Sequence, residues 1–429
     1  MSLLTLRQVP VKCPVPRWPD WQSPAKIPRR WMVVTFTACA AFALAMALVT
    51  TNELHRIWGI FAACAYLAAA MAVLAWKARG VDMALLVSLG GALAAPLSLM
   101  AEDYMHQPEV QVIDQSAEML IHHGTPYATP TVLAAAHSPN VFDPYLPFMT
   151  VFGIPRALLG FAPITDPRIW FGVGFVIVFA LALAAAGARD VIRWTALVTA
   201  SPVIAFSLTV GGTDVPVLAC QCLGLALLWR RPRHLLAGLA LGAAATMKAT
   251  AWPALIVAAI LVAIRDGRRA AVITSAAALA VVAVVVGPVA AVWPGALVQN
   301  TITFPLGLAS VKSAAVSPLP GRLLAETGHI GRLFAVGLLA LAGLSVILSL
   351  VVRPPRTVPA ATWRLIIGLS LMFVLAPATR FGYFVYPVGL LAWLEIASLS
   401  RSKAGTERSR PPPRAGPPRA AGPVWEHAY

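Results

Sequence analysis

The stretch "RDGRRAAVITSAAALAVVAVVVGPVAAVW" (265–293) decides the fold class. A short basic loop precedes an uncharged run at 270–292, and as a helix this run is long enough to cross the roughly 30 Å hydrocarbon core of a bilayer. Similar runs recur along the 429 residues, so we predict an all-α polytopic membrane protein. About twelve spans are expected, near 32–52, 57–76, 82–101, 169–188, 194–210, 214–229, 235–248, 250–264, 270–292, 333–352, 364–379 and 381–399.

The composition excludes a soluble globular protein. Hydrophobic residues make up 59% of the chain, charged residues only 12%, and the mean hydropathy is +0.76. Soluble domains carry about a quarter charged residues. The net charge of +16 is dispersed in short loops and two tails, which favours anionic lipid headgroups over nucleic acid as its partner. The five cysteines show no metal-ligand spacing, and we predict no metal or other cofactor.

The distribution of basic residues predicts the orientation. Of the 33 Lys and Arg residues, 25 fall in the segments on one side of the predicted spans, and cytoplasmic loops are the ones that retain Lys and Arg. We therefore expect a plasma-membrane protein with two cytoplasmic termini. Its parts are an N-terminal tail (1–31), a transmembrane domain (32–399) and a Pro/Arg-rich C-terminal tail (400–429), the last predicted to be disordered.

Two external segments, 102–168 and 293–332, are long for connections between spans, and such loops are usually functional or disordered. The first contains a group of carboxylates in an amphipathic stretch: Glu102, Asp103, Glu109 and Asp114. A partly desolvated carboxylate at a membrane surface suits deprotonation of a hydroxyl. The alternative is that they are ordinary acidic residues of a solvated loop.

Three further charged residues fall at external turns. Lys248 lies in the middle of a predicted hairpin, where it either has a function at membrane depth or extends to the interface. Arg380 is flanked by Tyr383 and Tyr386, and Arg and Lys together suit contact with a phosphate. Asp214 follows Gly211-Gly212, and its position fits helix capping as well as substrate binding.

Four segments, in this order, resemble the polyprenyl-phosphate-mannose-dependent mannosyltransferases of glycosyltransferase family 87, within the GT-C superfold. They are "EVQVIDQSAEMLIHHGTPY" (109–127), "DPYLPFMTVFG" (143–153), the run 211–253 and "APATRFGYFVYP" (376–387). The family's usual acidic residue is an aspartate, where this chain has a glutamate. In register with the family pattern are Glu109, Val112, Ala117, Leu120, Gly124, Pro126, Tyr127, Asp214, Gly238, Gly242 and Lys248.

The resemblance implies a GT-C-like bundle that transfers a sugar from a polyprenyl-phosphate donor to a cell-envelope glycolipid or glycan on the external face, with inversion. Glu109 would deprotonate the acceptor hydroxyl, with Asp103 and Asp114 in reserve. Lys248 and Arg380 would hold the donor phosphate. Assigned to the substrate pocket are Tyr127, Tyr145, Asp214 and Tyr383.

The main alternative is a secondary transporter of a small solute or lipid-linked sugar. That class would predict charged residues at mid-membrane on several helices and repeated halves. In this sequence the charged residues of the predicted spans lie near the span ends, and no internal repeat is found. A long acidic external loop also fits an enzyme better than a transporter.

The predicted orientation can be tested with reporters fused after Arg410. A fluorescent protein that matures only in the cytoplasm should be bright, and a phosphatase that is active only outside should be silent. The opposite result would reverse the topology and place the acidic segment inside the cell.

Overall fold

The structure is a computed structural model that describes residues 23–305, 308–309, 311 and 315–399. The predicted disorder of the C-terminal tail therefore falls outside the described residues, as does most of the N-terminal tail. Within the described residues, all regular secondary structure is helical and no β-strand is present, which confirms the all-α prediction. The helices are α1 (Arg29–Val49), α2 (Glu53–Ala75), α3 (Gly80–Leu89), α4 (Ala95–Glu102), α5 (Pro108–His123), α6 (Pro130–Ala134), α7 (Ile154–Leu159), α8 (Pro167–Ala186), α9 (Val191–Thr199), α10 (Pro202–Val210), α11 (Asp214–Leu227), α12 (His234–Ala245), α13 (Trp252–Arg265), α14 (Arg268–Val292), α15 (Pro294–Val298), α16 (Pro320–Glu326), α17 (His329–Val352), α18 (Val358–Leu375) and α19 (Val385–Leu399).

In the described part of the chain, eight helical segments are long and apolar enough to cross a membrane. One of them joins α3 and α4 through a π-helical turn at Gly90–Ala94. The pair α9 and α10, bent by 60°, makes a ninth span if it is counted as one. Of the twelve predicted spans, the remaining three correspond to α11, α12 and α13.

These three helices are shorter than a full span. Helix α11 has 14 residues, α12 has 12 and α13 has 14. At 1.5 Å per residue they reach about 18–21 Å, short of the hydrocarbon thickness. Helix α11 can be short because protein surrounds it: it is buried at nearly every position and packs against α8, α12 and α19. Backbone that does not span the hydrocarbon core is tolerated where it is buried in protein.

The segment between α4 and α8 folds against the bundle. Its main element is α5, which begins at Pro108 and ends at Gly124, whose φ of 71° gives the left-handed C-cap that favours glycine. Helix α5 packs on the 3-10 helix Pro147–Gly153, and a Cβ at Gly153 would lie 2.5 Å from the carbonyl oxygen of Ile113. Only a glycine allows this close approach.

A buried charge network holds this segment in place. Arg156 contacts Asp114 at 3.0 Å and Asp166 at 3.4 Å, and Arg168 contacts Asp166 at 2.8 Å. Arg168 also donates to the carbonyl oxygens of Met105 and Thr209, at 2.9 and 2.6 Å. Removing one partner of a buried ion pair typically costs about 3–5 kcal/mol because the other charge is left uncompensated. The network therefore fixes the start of the segment to the end of α10.

Asp114 and Asp166 respond differently to this environment. Burial raises the pKa of Asp114 to about 6, although Arg156 and the Tyr104 hydroxyl oppose the increase. Burial alone would also raise the pKa of Asp166, but its hydrogen bonds and ion pair with Arg168 hold that pKa below its ordinary value. Asp166 is thus the stable anion of the network.

Candidate functional site

The candidate site begins at the N-terminus of α5, which is held by the end of α10. The backbone N–H of Gln107 donates to the carbonyl oxygen of Val210 at 2.8 Å. Two residues later, Glu109 places its carboxylate over Gly211, where an added Cβ would lie 2.6 Å from Oε1. The absence of a side chain at Gly211 is what leaves room for Glu109.

Glu109 forms an ion pair with a residue 271 positions away in the chain. Arg380 Nη1 lies 2.8 Å from Glu109 Oε2, and the two side chains are 30% and 12% exposed. Backbone hydrogen bonds between Thr379 and residues 315–317 secure the turn that carries Arg380. This pair therefore joins three distant parts of the sequence at one point.

A second ion pair lies in the same site. Lys248 Nζ contacts Asp214 Oδ1 at 2.5 Å, and the Tyr386 hydroxyl donates to the same oxygen at 2.7 Å. Thr250 donates to the Tyr386 hydroxyl at 2.9 Å. Asp214 is the first residue of α11, and its side chain binds Lys248 and Tyr386 instead of capping the helix, for which Thr213 is the cap residue. Lys248 is 9% exposed, so its ammonium group does not extend into solvent.

Two aromatic rings surround the ammonium group of Lys248. Its Nζ lies 5.2 Å from the ring centre of Tyr145 and 5.0 Å from that of Tyr383, within the range of a cation–π contact. Tyr145 is brought there by backbone pairing, since Leu146 and Phe148 donate to the carbonyl oxygens of Met247 and Thr246 at 2.9 and 3.0 Å. The position of Lys248 is thus set from several sides.

Tyr127 holds the backbone of Tyr145 in place. Its hydroxyl donates to the backbone oxygen of Tyr145 at 2.8 Å, and the N–H of Tyr145 donates to Asp143 Oδ1 at 2.9 Å. Burial raises the pKa of Asp143 to about 8. Tyr127 also lines a neighbouring cavity of about 450 Å³, together with Trp293. Tyr127 therefore contacts both this cavity and the segment that carries Tyr145.

Contacts in the structure join Glu109 to Arg380, and join Lys248 to Asp214, Tyr145 and Tyr383, with Tyr127 bound to Tyr145. Glu109 and Arg380 also interact electrostatically with Tyr145 and Tyr383, so the two groups are neighbours, and together these seven of the nine sequence-assigned residues form one cluster. Each pair joins one carboxylate to one cation, so the four groups together are neutral.

The two reserve carboxylates lie elsewhere. Asp103 is exposed at the end of α4, and Asp114 is bound to Arg156 in the charge network described above. On α5, Asp114 is five residues from Glu109, which turns it to a different side of the helix. The geometry therefore separates Glu109 from Asp103 and Asp114.

The site also includes three residues that the sequence analysis did not assign to it, namely Gly211, Thr250 and Tyr386. The sequence shows the Gly211-Gly212 pair and the two tyrosines that follow Arg380. Tertiary packing decides which glycine and which tyrosine face the site. Within the described residues, no group of three or more His, Cys, Asp or Glu side chains could hold a metal ion.

The comparison with protein-family models assigns the chain to a family of glycosyltransferases. The model of glycosyltransferase family 87 matches residues 144–377, more than half of the chain, and the chain belongs to this family. The matched residues include Tyr145, Asp214 and Lys248, whereas Glu109 and Arg380 lie outside them. Among curated proteins, none shows significant sequence similarity to the chain.

A solved structure, that of ArnT from Cupriavidus metallidurans in the apo state, matches with 16% sequence identity and a TM-score of 0.46. The match covers 78% of this chain and 62% of ArnT, so the chain spans less than two thirds of the length of that protein.

Replacing Gly211 by Ala should displace the Glu109 carboxylate, because the new methyl group would lie within 2.6 Å of Oε1. A misplacement of about 1 Å can cost on the order of 100-fold in rate, and we expect kcat for glycosyl transfer to fall by that order. Gly172→Ala is the matched control, since its Cβ would meet only the Leu208 side chain, at 3.7 Å. Full activity of Gly211→Ala would show that the position of Glu109 is unimportant.

Proposed function

We propose that the protein transfers a sugar from a polyprenyl-phosphate donor to a glycolipid or glycan of the cell envelope. Mannose is the sugar that we expect. Transfer takes place on the external face of the plasma membrane and inverts the anomeric carbon. The observation that carries this proposal is the pair of carboxylate–cation contacts, Glu109 with Arg380 and Asp214 with Lys248, in one partly buried site. Membership of family 87 supports the reaction class.

The cations supply the part of the site that suits a leaving phosphate. When the bond between the anomeric carbon and the phosphate oxygen breaks, the electron pair stays on that oxygen and negative charge grows. A guanidinium and an ammonium held beforehand in a partly desolvated site stabilise this charge without reorganising. Until the donor binds, the contact of Lys248 with Asp214, whose carboxylate also accepts from Tyr386, keeps the ammonium group in position.

Glu109 is the group proposed to accept the proton. It removes the proton of the acceptor hydroxyl as that oxygen bonds to the anomeric carbon, on the side opposite the phosphate. In the structure its carboxylate is bound to Arg380. A donor phosphate that binds Arg380 would replace this contact and leave Glu109 free to act as a base. The donor therefore prepares the base before transfer begins.

The first test is transfer of labelled mannose from a polyprenyl-phosphate donor in membranes, comparing the wild type with Glu109→Gln. General base catalysis contributes about 10²–10⁴-fold, and Glu109→Gln should lose transfer by that order while expression is unchanged. Asp103→Asn is the matched control, because Asp103 is exposed and outside the cluster, and it should keep wild-type activity.

Two results would contradict this part of the proposal. Full activity of Glu109→Gln would move the base to another group. A wild type that transfers no label from mannose, arabinose or glucose donors would support a transporter of lipid-linked sugars instead.

A second test concerns the donor phosphate. A hydrogen bond to a charged group contributes about 1.5–3 kcal/mol, which corresponds to roughly 10–150-fold. Lys248→Met should therefore raise the apparent KM for the donor or lower kcat/KM by that order. Because Lys248→Met leaves Asp214 unpaired, the double variant Asp214→Asn/Lys248→Met is needed as a control for folding. Wild-type donor kinetics in that folded double variant would exclude Lys248 from phosphate binding.

A further inference from the structure

The external end of α2 reaches the candidate site through His55. Asn52 caps this helix, its side-chain oxygen accepting from the N–H groups of Leu54 and His55 at 3.0 and 3.4 Å. The half-buried His55 ring packs edge-on against Phe206 of α10, with ring centres 4.9 Å apart. His55 thus lies where α2 meets the element that ends at Gly211.

His55 has a polar partner on α5. The side-chain Nε2 of Gln107 lies 3.0 Å from Nε2 of the imidazole. Gln107 is the N-cap residue of α5, yet its side chain does not cap its own helix. The side chain binds His55, while the backbone N–H binds Val210. Gln107 therefore connects the first turn of α5 to two other helices.

This connection matters because Glu109 lies two residues further along and has little room to move. Its carboxylate is bound to Arg380 at 2.8 Å on one side. On the other side it lies so close to Gly211 that an added Cβ there would be 2.6 Å from Oε1. A shift or rotation of the first turn of α5 would move the carboxylate by a similar amount. The groups that fix this turn consequently decide where the proposed base lies.

We propose that His55 is a positioning residue for glycosyl transfer, an inference that rests on the function proposed above. Through its contact with Gln107, His55 fixes the first turn of α5 and thereby the position of the Glu109 carboxylate. His55 itself takes no proton from the acceptor. Its contribution is to the geometry of the base.

The packing of α2 does not depend on His55. Further along the helix, Trp58 Nε1 donates to the carbonyl oxygen of Ala92 at 2.9 Å, and the Tyr66 hydroxyl donates to that of Ala200 at 2.7 Å. Both side chains are fully buried. Removing the imidazole should therefore leave α2 docked in the bundle and change only the contact with α5.

The experiment compares kcat and the donor and acceptor KM of the full-length purified protein for His55→Ala, His55→Gln, Gln107→Ala and the double alanine variant. Loss of positioning should lower kcat of His55→Ala on the order of 10–100-fold, with both KM values within about twofold of wild type. His55→Gln should recover most of kcat, because an amide can bind Gln107 but cannot act as a base. The double variant should be no worse than His55→Ala, since both changes break one contact.

Arg56→Ala is the matched control, because Arg56 is the exposed neighbour of His55, and it should keep wild-type kinetics. Three results would overturn the proposal: wild-type kcat in His55→Ala, a His55→Gln as inactive as His55→Ala, or multiplied losses in the double variant. The second would indicate that the imidazole takes part in the chemistry directly.

Hydrogen exchange gives a readout that needs no activity. The first turn of α5 is closed by the backbone amides at 112–115, which donate to the carbonyl oxygens of 108–111. In His55→Ala these amides should exchange faster than in the wild type, while those in the middle of α2 should not change. Unchanged exchange at 112–115 would refute the positioning role even if the wild type proved inactive with every donor tested. Inactivity of the wild type would count only against the proposed function.

Discussion

The ion pair between Glu109 and Arg380 is the contact on which the candidate site depends. A charge at the edge of a membrane protein is costly to bury unless another charge compensates it. The second pair, between Asp214 and Lys248, meets the same requirement. Because each cation already has a carboxylate partner, the site can keep two positive groups partly desolvated without any ligand. A lipid phosphate that enters would exchange for these partners and would not meet bare cations.

Much of the remaining structure serves to hold these four groups together. Short backbone contacts join the segment around Tyr145 to the break between α12 and α13, and join Thr379 to residues 315–317. The buried network of Arg156, Asp166 and Arg168 anchors the segment that carries α5. These contacts lie at one end of the bundle. The irregular segments at this end carry the candidate site, and the long helices make up the rest of the bundle.

The fold class follows from the sequence because membrane helices are set by the length and polarity of each run, which are local properties. The shortness of α12 and α13 could also be predicted, because the run 235–264 is too long for one span and too short for two. For the site, the sequence could indicate residue types and order. It could not distinguish Glu109 from Asp114, because the partner of each, Arg380 or Arg156, is chosen by tertiary packing. Tyr386 shows the same limit, because only the structure shows that its hydroxyl binds Asp214.

Under the proposed function, the carboxylate partners of the two cations have a consequence for the end of the catalytic cycle. A donor phosphodiester carries one negative charge, whereas the phosphate monoester left after transfer carries about 1.5–2. The spent lipid would therefore be held more tightly than the donor that entered. Glu109 and Asp214 compete with it for Arg380 and Lys248, and their return to the contacts seen in the structure would help to expel it. The same two ion pairs that make the empty site stable would thus keep the enzyme from being trapped by its own product.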